Sequence, residues 1–288
     1  VKIRIVQPNI EQDLKWQEGE REQIVQRVFS MTRAPGFDEI THVVWPESAL
    51  PYFIYESSPL LESIQHMVPK NGAVITGSTR VAFEYVGIIS EIWNSLHIID
   101  DQGRIVDYYD KTHLVPFGEY VPLRGFIPFV QKITHGAVDF SWGAGLKTLH
   151  APSLPAFSPM ICYDAIFSGD VVNRDHFPGF MLQVTNDGWY GKSSAAFQHF
   201  HMARMRSVEE GLPLIRAANT GISAIVDAYG RIIKRTKMDE QTVLDGRLPQ
   251  PSEVRTFFSQ NSNVLKIFAL VTTSFLYLLT IFLIRKSH

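Results

Sequence analysis

Short apolar runs alternate with segments of helical spacing over most of the chain. Residues 2–7, 42–45, 73–78, 180–185 and 214–218 are compact runs rich in Val, Ile and Leu, the pattern of buried strands. Residues 18–33 place Ile24, Val25, Val28 and Phe29 at helical spacing, and 60–67 and 194–210 also read as helices. Asp101-Gln102-Gly103 and Ala228-Tyr229-Gly230 are hairpin turns, between arms at 93–100 and 104–109 and at 222–227 and 231–235. Strands alternating with helices, plus hairpins, predict an α/β sandwich with mixed sheets and no domain boundary before residue 255.

The pattern changes at the C-terminal end. Residues 264–284 are apolar on every face, with Lys266 as their one charge. Such a run is long enough to cross a hydrocarbon core of about 30 Å. A buried core helix is the competing reading, but the run follows a polar linker at 259–263 and has no polar face. The expected division is a domain over 1–258, the linker, a membrane span over 264–284 and a tail over 285–288. Arg285 and Lys286 favour a cytoplasmic tail, which places the domain outside the cytoplasm. The chain starts at Val1 and runs straight into a strand, so an upstream part is expected to be missing.

Composition narrows the function only a little. The 288 residues are 45% hydrophobic and 19% charged with a net charge of −2, which offers no electrostatic case for nucleic acid. The single cysteine, Cys162, cannot form an internal disulfide. No convincing metal-ligand set is seen, and no cofactor is expected; His199 and His201 lie two apart on a helix and point in different directions.

Cys162 sits in Ser158-Pro159-Met160-Ile161-Cys162-Tyr163-Asp164, where an apolar run over 156–161 gives way to a polar, glycine-containing stretch. That reads as a strand ending in a sharp turn before a helix, a place where backbone N–H groups favour negative charge on the sulfur. A lone cysteine is as readily a small buried hydrophobe, so this stretch alone leaves the question open. Glu47 and Lys111 also fall at predicted strand ends, where catalytic groups of α/β folds collect.

Three motifs carry a resemblance. Trp45-Pro46-Glu47-Ser48, the run from Lys111-Thr112-His113 through Pro116-Phe117-Gly118-Glu119-Tyr120 to Pro122, and Ile161-Cys162-Tyr163-Asp164 resemble the Glu, Lys and Cys motifs of the nitrilase (carbon–nitrogen hydrolase) superfamily. The second run, Thr185-Asn186-Asp187-Gly188-Trp189-Tyr190-Gly191 and Arg216-Ala217-Ala218-Asn219-Thr220-Gly221 are more narrowly similar to the bacterial apolipoprotein N-acyltransferase family. The resemblance implies a nitrilase-like αββα sandwich followed by the membrane helix, in the bacterial inner membrane with the domain on the periplasmic side. It implies transfer of an acyl chain from a membrane phospholipid, through a Cys162 thioester, to the α-amine of a diacylglyceryl-modified apolipoprotein. In that scheme Glu47 is the base, Lys111 stabilises the oxyanion with the Tyr163 N–H, and Cys162 is the nucleophile. Glu119, Tyr163 and Trp16 match supporting residues, and Glu119 is expected to orient Lys111 or assist proton transfer. Asp164 stands where the family usually has Glu. The family also has membrane helices upstream of this domain, and a monomer is expected.

Two apolar loops, 50–55 and 121–130, are expected to face lipid, since both hold more large apolar residues than a solvated surface needs. The alternative activity is a nitrilase-like amidase working on a small amide with the same triad; a soluble amidase has no need of the terminal span.

Overall fold

The computed structural model describes residues 1–56, 58–85, 88–123 and 138–286. The first half of the chain alternates β1 (Lys2–Gln7), α1 (Arg21–Thr32), β2 (His42–Trp45), α2 (Pro59–Gln65), β3 (Ala73–Tyr85), β4 (Ile88–Asp100) and β5 (Ile105–Asp110). The second half brings β6 (Phe157–Ile161), β7 (Phe180–Thr185), α3 (Ala195–Glu210), β8 (Leu214–Ala218), β9 (Ala224–Val226), β10 (Ile232–Arg235), β11 (Thr242–Arg247) and α4 (Phe257–Lys286). Two mixed sheets result, in the orders β11-β1-β2-β3-β4-β5 and β10-β9-β8-β7-β6. Each has three adjacent parallel strands, β1–β2–β3 in one and β6–β7–β8 in the other.

Parallel strands are covered on both faces, and the burial follows. Ile5, Val44, Ile75 and Leu96 from the first sheet meet Phe157, Leu182 and Ile215 from the second in one apolar layer. The other face of the first sheet packs Val43, Trp45 and Val74 under Ile24 and Val28 of α1 and Leu61 and Ile64 of α2. The other face of the second packs Met160, Met181 and Leu214 under Phe200 and Ala203 of α3. This is the expected αββα sandwich. The parallel strands end together, so the segments after β2, β6 and β7 gather at one edge.

Three features differ from the sequence reading. Strands β3 and β4 each run 13 residues, well past the expected 73–78 and 93–100, and form a long antiparallel ribbon. Strand β11 was not anticipated; it pairs antiparallel with β1 from Lys2↔Arg247 to Gln7↔Thr242. Residues 259–263, expected as a linker, are part of α4, which is kinked at Asn261 (φ −127°, ψ 17°). The serines of that segment face the body of the domain, where Arg174 donates to the Ser259 carbonyl (2.7 Å) and hydroxyl (2.8 Å) and to the Ser262 hydroxyl (3.3 Å). Packing against the domain therefore starts the helix before its apolar run. From Phe257 to Ile284 the helix is long and apolar enough to cross a membrane, and its most apolar stretch is unburied. Gly169 (φ +70°) lets its first turns close in: a Cβ there would lie 2.9 Å from the Ser262 Cβ and 3.1 Å from the Lys266 Cε.

A buried histidine sets part of the acid sensitivity. His97 of β4 is 1% exposed, bonded to the Ser78 hydroxyl, with its ring tilted against that of Tyr108 at 6.0 Å. Burial pulls its pKa down to about 4, with Arg80 adding and Asp110 opposing. The unfolded chain binds this proton near pH 6.5 and the folded one does not, so stability falls as pH drops from about 6.5 to about 4, by roughly 3 kcal/mol in all. His97→Gln is expected to flatten the urea midpoint across that window by one proton's worth. An unchanged slope would contradict it.

Candidate active site

The site forms where β2 and β6 end, with β4, β5 and β7 contributing. Glu47 follows β2, and the chain turns sharply there: Ser48 has φ +45°. Gly77 of β3 makes room, since a Cβ at that position would lie 2.5 Å from the Glu47 Cα. Lys111 comes directly after β5, its N–H bonded to the Asn94 carbonyl at 2.9 Å. Cys162 follows β6 directly, has φ +49° and opens a five-residue 3-10 helix, Cys162–Ile166. A non-glycine residue in this region carries strain of about 1–3 kcal/mol and persists only where its surroundings enforce it.

Asp164 supplies much of that enforcement. Its carboxylate accepts from the Ile161 N–H (2.9 Å), the His113 N–H (3.1 Å) and ring (3.2 Å), and the Tyr109 hydroxyl (3.2 Å). The aspartate side chain is thus long enough to close the turn. From the other side the Cys162 carbonyl is held by Gln183 Nε2 (3.0 Å) and His199 Nε2 (3.0 Å). His199 Nδ1 is in turn bonded to Asp187 (2.9 Å), which Arg216 also binds (2.7 Å). Burial raises the Asp187 carboxyl, but Arg216 and His199 outweigh it and hold the pKa at about 2. Asp164→Ala removes an acceptor shared by four donors in a buried turn and is expected to cost about 3 kcal/mol. A thermal scan checks this: an unchanged melting temperature would mean the turn holds without Asp164.

The three candidates line one cavity of about 300 Å³, together with Glu119, Tyr163, Trp189 and Tyr190. Glu47 is 7%, Lys111 1% and Cys162 8% exposed. The Lys111 ammonium donates to Glu119 Oε2 at 2.8 Å, and the Val115 N–H holds the same oxygen at 2.8 Å. Asn94 joins the two carboxylates, its Nδ2 donating to Glu47 Oε1 and to Glu119 Oε1, each at 2.8 Å. The other Glu47 oxygen accepts from the Asn186 N–H at 2.9 Å. A second, smaller cavity of about 90 Å³ shares Glu47, Glu119 and Trp189 and adds Lys15 and Trp16.

Burial dominates the electrostatics. It pushes the Glu47 carboxyl above the usual carboxylate range; Lys111 opposes this and Glu119 reinforces it. Burial works against the Lys111 ammonium, yet Glu119, the Cys162 sulfur and Glu47 together drive its pKa well above that of an ordinary lysine. Burial, with Glu47 adding, pushes the Cys162 thiol well up, while Lys111 and the Thr185 hydroxyl pull it down. The N–H groups of the turn favour negative charge on the sulfur, but burial outweighs them and holds it toward the protonated thiol, beside a carboxylate and a cation, so an attack by this sulfur would need a base to take its proton.

Sequence reasoning did not single out Asn94 or Lys15, and it weighed His199 only against a metal site, not as a support of the Cys162 carbonyl. Lys15 is 2% exposed and donates to the Glu47 carbonyl at 3.1 Å; burial lowers its pKa to about 8 against the pull of Glu47. Asn94 is 47 residues from Glu47 in sequence and meets it only across the sheet. Trp189 is 44% exposed at the junction of the two cavities. Of the apolar loops, 50–55 divides: Leu50 and Ile54 join the core under α1 and α2, while Tyr52, Phe53 and Tyr55 are exposed. In the second loop Leu123 is 72% exposed, whereas Phe126, Ile127, Phe129 and Val130 lie outside the described residues.

Comparison with known proteins agrees with this architecture. The chain is 39% identical over 261 residues to the apolipoprotein N-acyltransferase of Rhodopseudomonas palustris, covering 87% of this chain and 48% of the relative. It is 36% identical over 277 residues to that of Rickettsia typhi, covering 94% and 54%. The chain therefore spans about half the length of the curated relatives it matches. Among solved structures, a carbon–nitrogen hydrolase superfamily protein of Xanthomonas campestris superposes with a TM-score of 0.61 at 17% identity, covering 88% of this chain and 91% of that one. An amidase from Nesterenkonia, solved with acrylamide added to its active-site cysteine, superposes at 0.55 with 14% identity, covering 86% and 93%. Residues 2–255 match the carbon–nitrogen hydrolase family, and with the αββα sandwich in place the chain belongs to that family.

Proposed function

We propose that the chain is the catalytic part of a phospholipid:apolipoprotein N-acyltransferase, with residues 1–256 as the catalytic domain and α4 as its anchor in the bacterial inner membrane, the domain on the periplasmic side. The observation that carries the reading is one cavity lined by Glu47, Lys111 and Cys162 in a domain whose last helix is a bare apolar rod of membrane length. The 35–39% identity to relatives of that name supports the same choice.

In the first half-reaction the Cys162 sulfur attacks an ester carbonyl of a phospholipid while Glu47 takes the thiol proton. The oxyanion that forms faces the Lys111 ammonium and the Tyr163 N–H. Collapse breaks the ester C–O bond, and the leaving lysophospholipid oxygen recovers the proton from Glu47. In the second half-reaction the α-amine of a diacylglyceryl-cysteine attacks the thioester carbonyl. The amine gives its proton to Glu47 and the sulfur leaves, regaining a proton. Glu119 fixes Lys111 in line with the cavity, and Trp16 borders the neighbouring one. A thioester hydrolyses unless water is kept out, and the buried triad under Trp189 and Tyr190 suits that need.

The test is transfer from labelled phosphatidylethanolamine in vesicles to a synthetic diacylglyceryl-cysteinyl peptide. Label arriving on the peptide amine supports the proposal. Release of ammonia from small amides, with no peptide labelled, would make the chain an amidase instead.

A further inference from the structure

The outer part of the β3–β4 ribbon, past Arg80 and Trp93, contributes no residue to the site cavities. Strand β2 stops at Trp45, paired with Thr76 of β3, and β5 stops at Asp110, paired with Ser95 of β4. Beyond those points no further strand pairs with β3 or β4 among the described residues; single contacts flank their root, where Phe53 bridges Thr79 and the Lys111 N–H bonds to the Asn94 carbonyl, and past Val81 and Ile92 they pair only with each other. Their root is clamped by Arg80, which pairs with Asp110 through two bonds of 2.9 and 2.7 Å and lies 3.6 Å over the Trp93 ring. From Arg80 to Tyr85 the arm extends about 20 Å. Since β3 runs parallel to β2, it extends from the edge where Glu47 lies.

The arm has two unlike faces. Val81 pairs with Ile92 and Phe83 with Ile89, while Ala82 pairs with Glu91 and Glu84 is exposed. Phe83 is 49%, Tyr85 70% and Ile89 38% exposed, and the Tyr55 ring packs edge-on against Phe83 at 6.3 Å. An isolated two-stranded ribbon is marginal in water, and one with bare aromatics needs an apolar phase against it. The root of the arm adjoins the segment that borders the site, where Phe140 lines the smaller cavity. The Ser141 N–H bonds to the Ile92 carbonyl at 2.7 Å, and the next residue, Trp142, lies 5.0 Å from the Tyr120 ring beside Glu119.

An apolar phase is close by. The first turns of α4 touch Gly169, seven residues after Cys162, so by chain length the base of the membrane-length helix is within about 25 Å of the nucleophile's backbone. We infer that the arm is a membrane-docking element. Phe83, Tyr85 and Ile89, with Tyr55, enter the lipid interface and, together with α4, hold the site mouth against the bilayer from two sides. The docking itself is independent of the acyl chemistry; its use, delivering a phospholipid ester to Cys162 without passage through water, rests on the proposed function.

Full-length protein carrying Tyr85→Cys in a Cys162→Ser background, labelled with an environment-sensitive fluorophore, is reconstituted in phosphatidylcholine–phosphatidylglycerol vesicles. Gln102→Cys, past the far end of β4 and about 40 Å away along it, serves as reference. The Tyr85 label is expected to shift to the blue and to lose at least half its emission to lipid spin-labelled near the glycerol backbone, with the Gln102 label unaffected. A Tyr85 label no more quenched than the reference overturns the inference. Self-quenching that grows with the labelled fraction also overturns it, because the arm would then cover a second copy. In the otherwise unaltered chain, Phe83→Asp should slow Cys162 acylation from vesicle phospholipid at least tenfold and leave acylation from monomeric dihexanoyl phosphatidylcholine unchanged. Equal loss with both donors overturns the delivery role. Lipid quenching with no acylation from either donor would keep the docking and sink the acyltransferase reading.

Discussion

Lys111→Met is expected to lower the rate of Cys162 acylation by at least about a thousandfold, with the fold intact. The expectation follows from what surrounds the sulfur. Burial, Glu47 and Asp187 all disfavour the thiolate, and Lys111 is the cation that opposes them. Without it, the charge leaving the sulfur and arriving on the carbonyl oxygen has only the Thr185 hydroxyl and backbone dipoles to meet it. The same change takes away the charge that opposes burial at Glu47, so its carboxyl is pushed further above the usual carboxylate range and serves less well as a base. Methionine keeps most of the volume, so the 1%-exposed site does not open a cavity. Rapid-quench measurement of acyl-enzyme formation checks this. A rate within tenfold of the unaltered chain would remove Lys111 from the role assigned to it.

Glu47→Gln should be nearly as damaging, by about a thousandfold, and for a separable reason. The amide preserves shape and can still accept from the Asn186 N–H, but it cannot take the thiol proton. Because burial holds the thiol protonated at rest, an unassisted attack requires thiolate, which becomes more abundant as pH rises. The residual rate of the variant should therefore climb about tenfold per pH unit through the alkaline range, while the unaltered chain changes much less there. Parallel pH profiles for the two would show that Glu47 is not the base. Lys15, whose pKa lies near 8, titrates in the same range, so a Lys15→Met,Glu47→Gln double variant separates its contribution. The steep climb should persist in it.

The sandwich was legible because its parallel strands are short, apolar throughout and separated by helical periods. Residues 42–45, 180–185 and 214–218 keep their expected bounds. Strand β11 was not legible, since Asp245 and Gly246 break its pattern; Asp245 is placed there to meet the buried Arg4, at 2.8 and 2.7 Å. The arm escaped notice for a similar reason. Arg80, Glu84 and Glu91 interrupt the apolar alternation, and the face they mark off is visible only once the strands pair. At the candidate site, Glu47, Lys111 and Cys162 could be proposed because each lies just past a strand's end within a recognisable motif. Asn94 and Lys15 belong to no such motif, and their role depends on a carboxylate brought to them by the sheet. How strongly the thiol is held protonated was not legible, because sequence shows the turn and its N–H groups but not the depth of burial, which is the larger effect.

The most direct measurement is the intact mass of the Cys162-containing peptide after the full chain has been held with phospholipid vesicles and no acceptor amine. The account expects that peptide to gain one fatty acyl group, removable by hydroxylamine and absent from Cys162→Ala. A peptide at its unmodified mass, from protein shown to be folded and inserted, would contradict it.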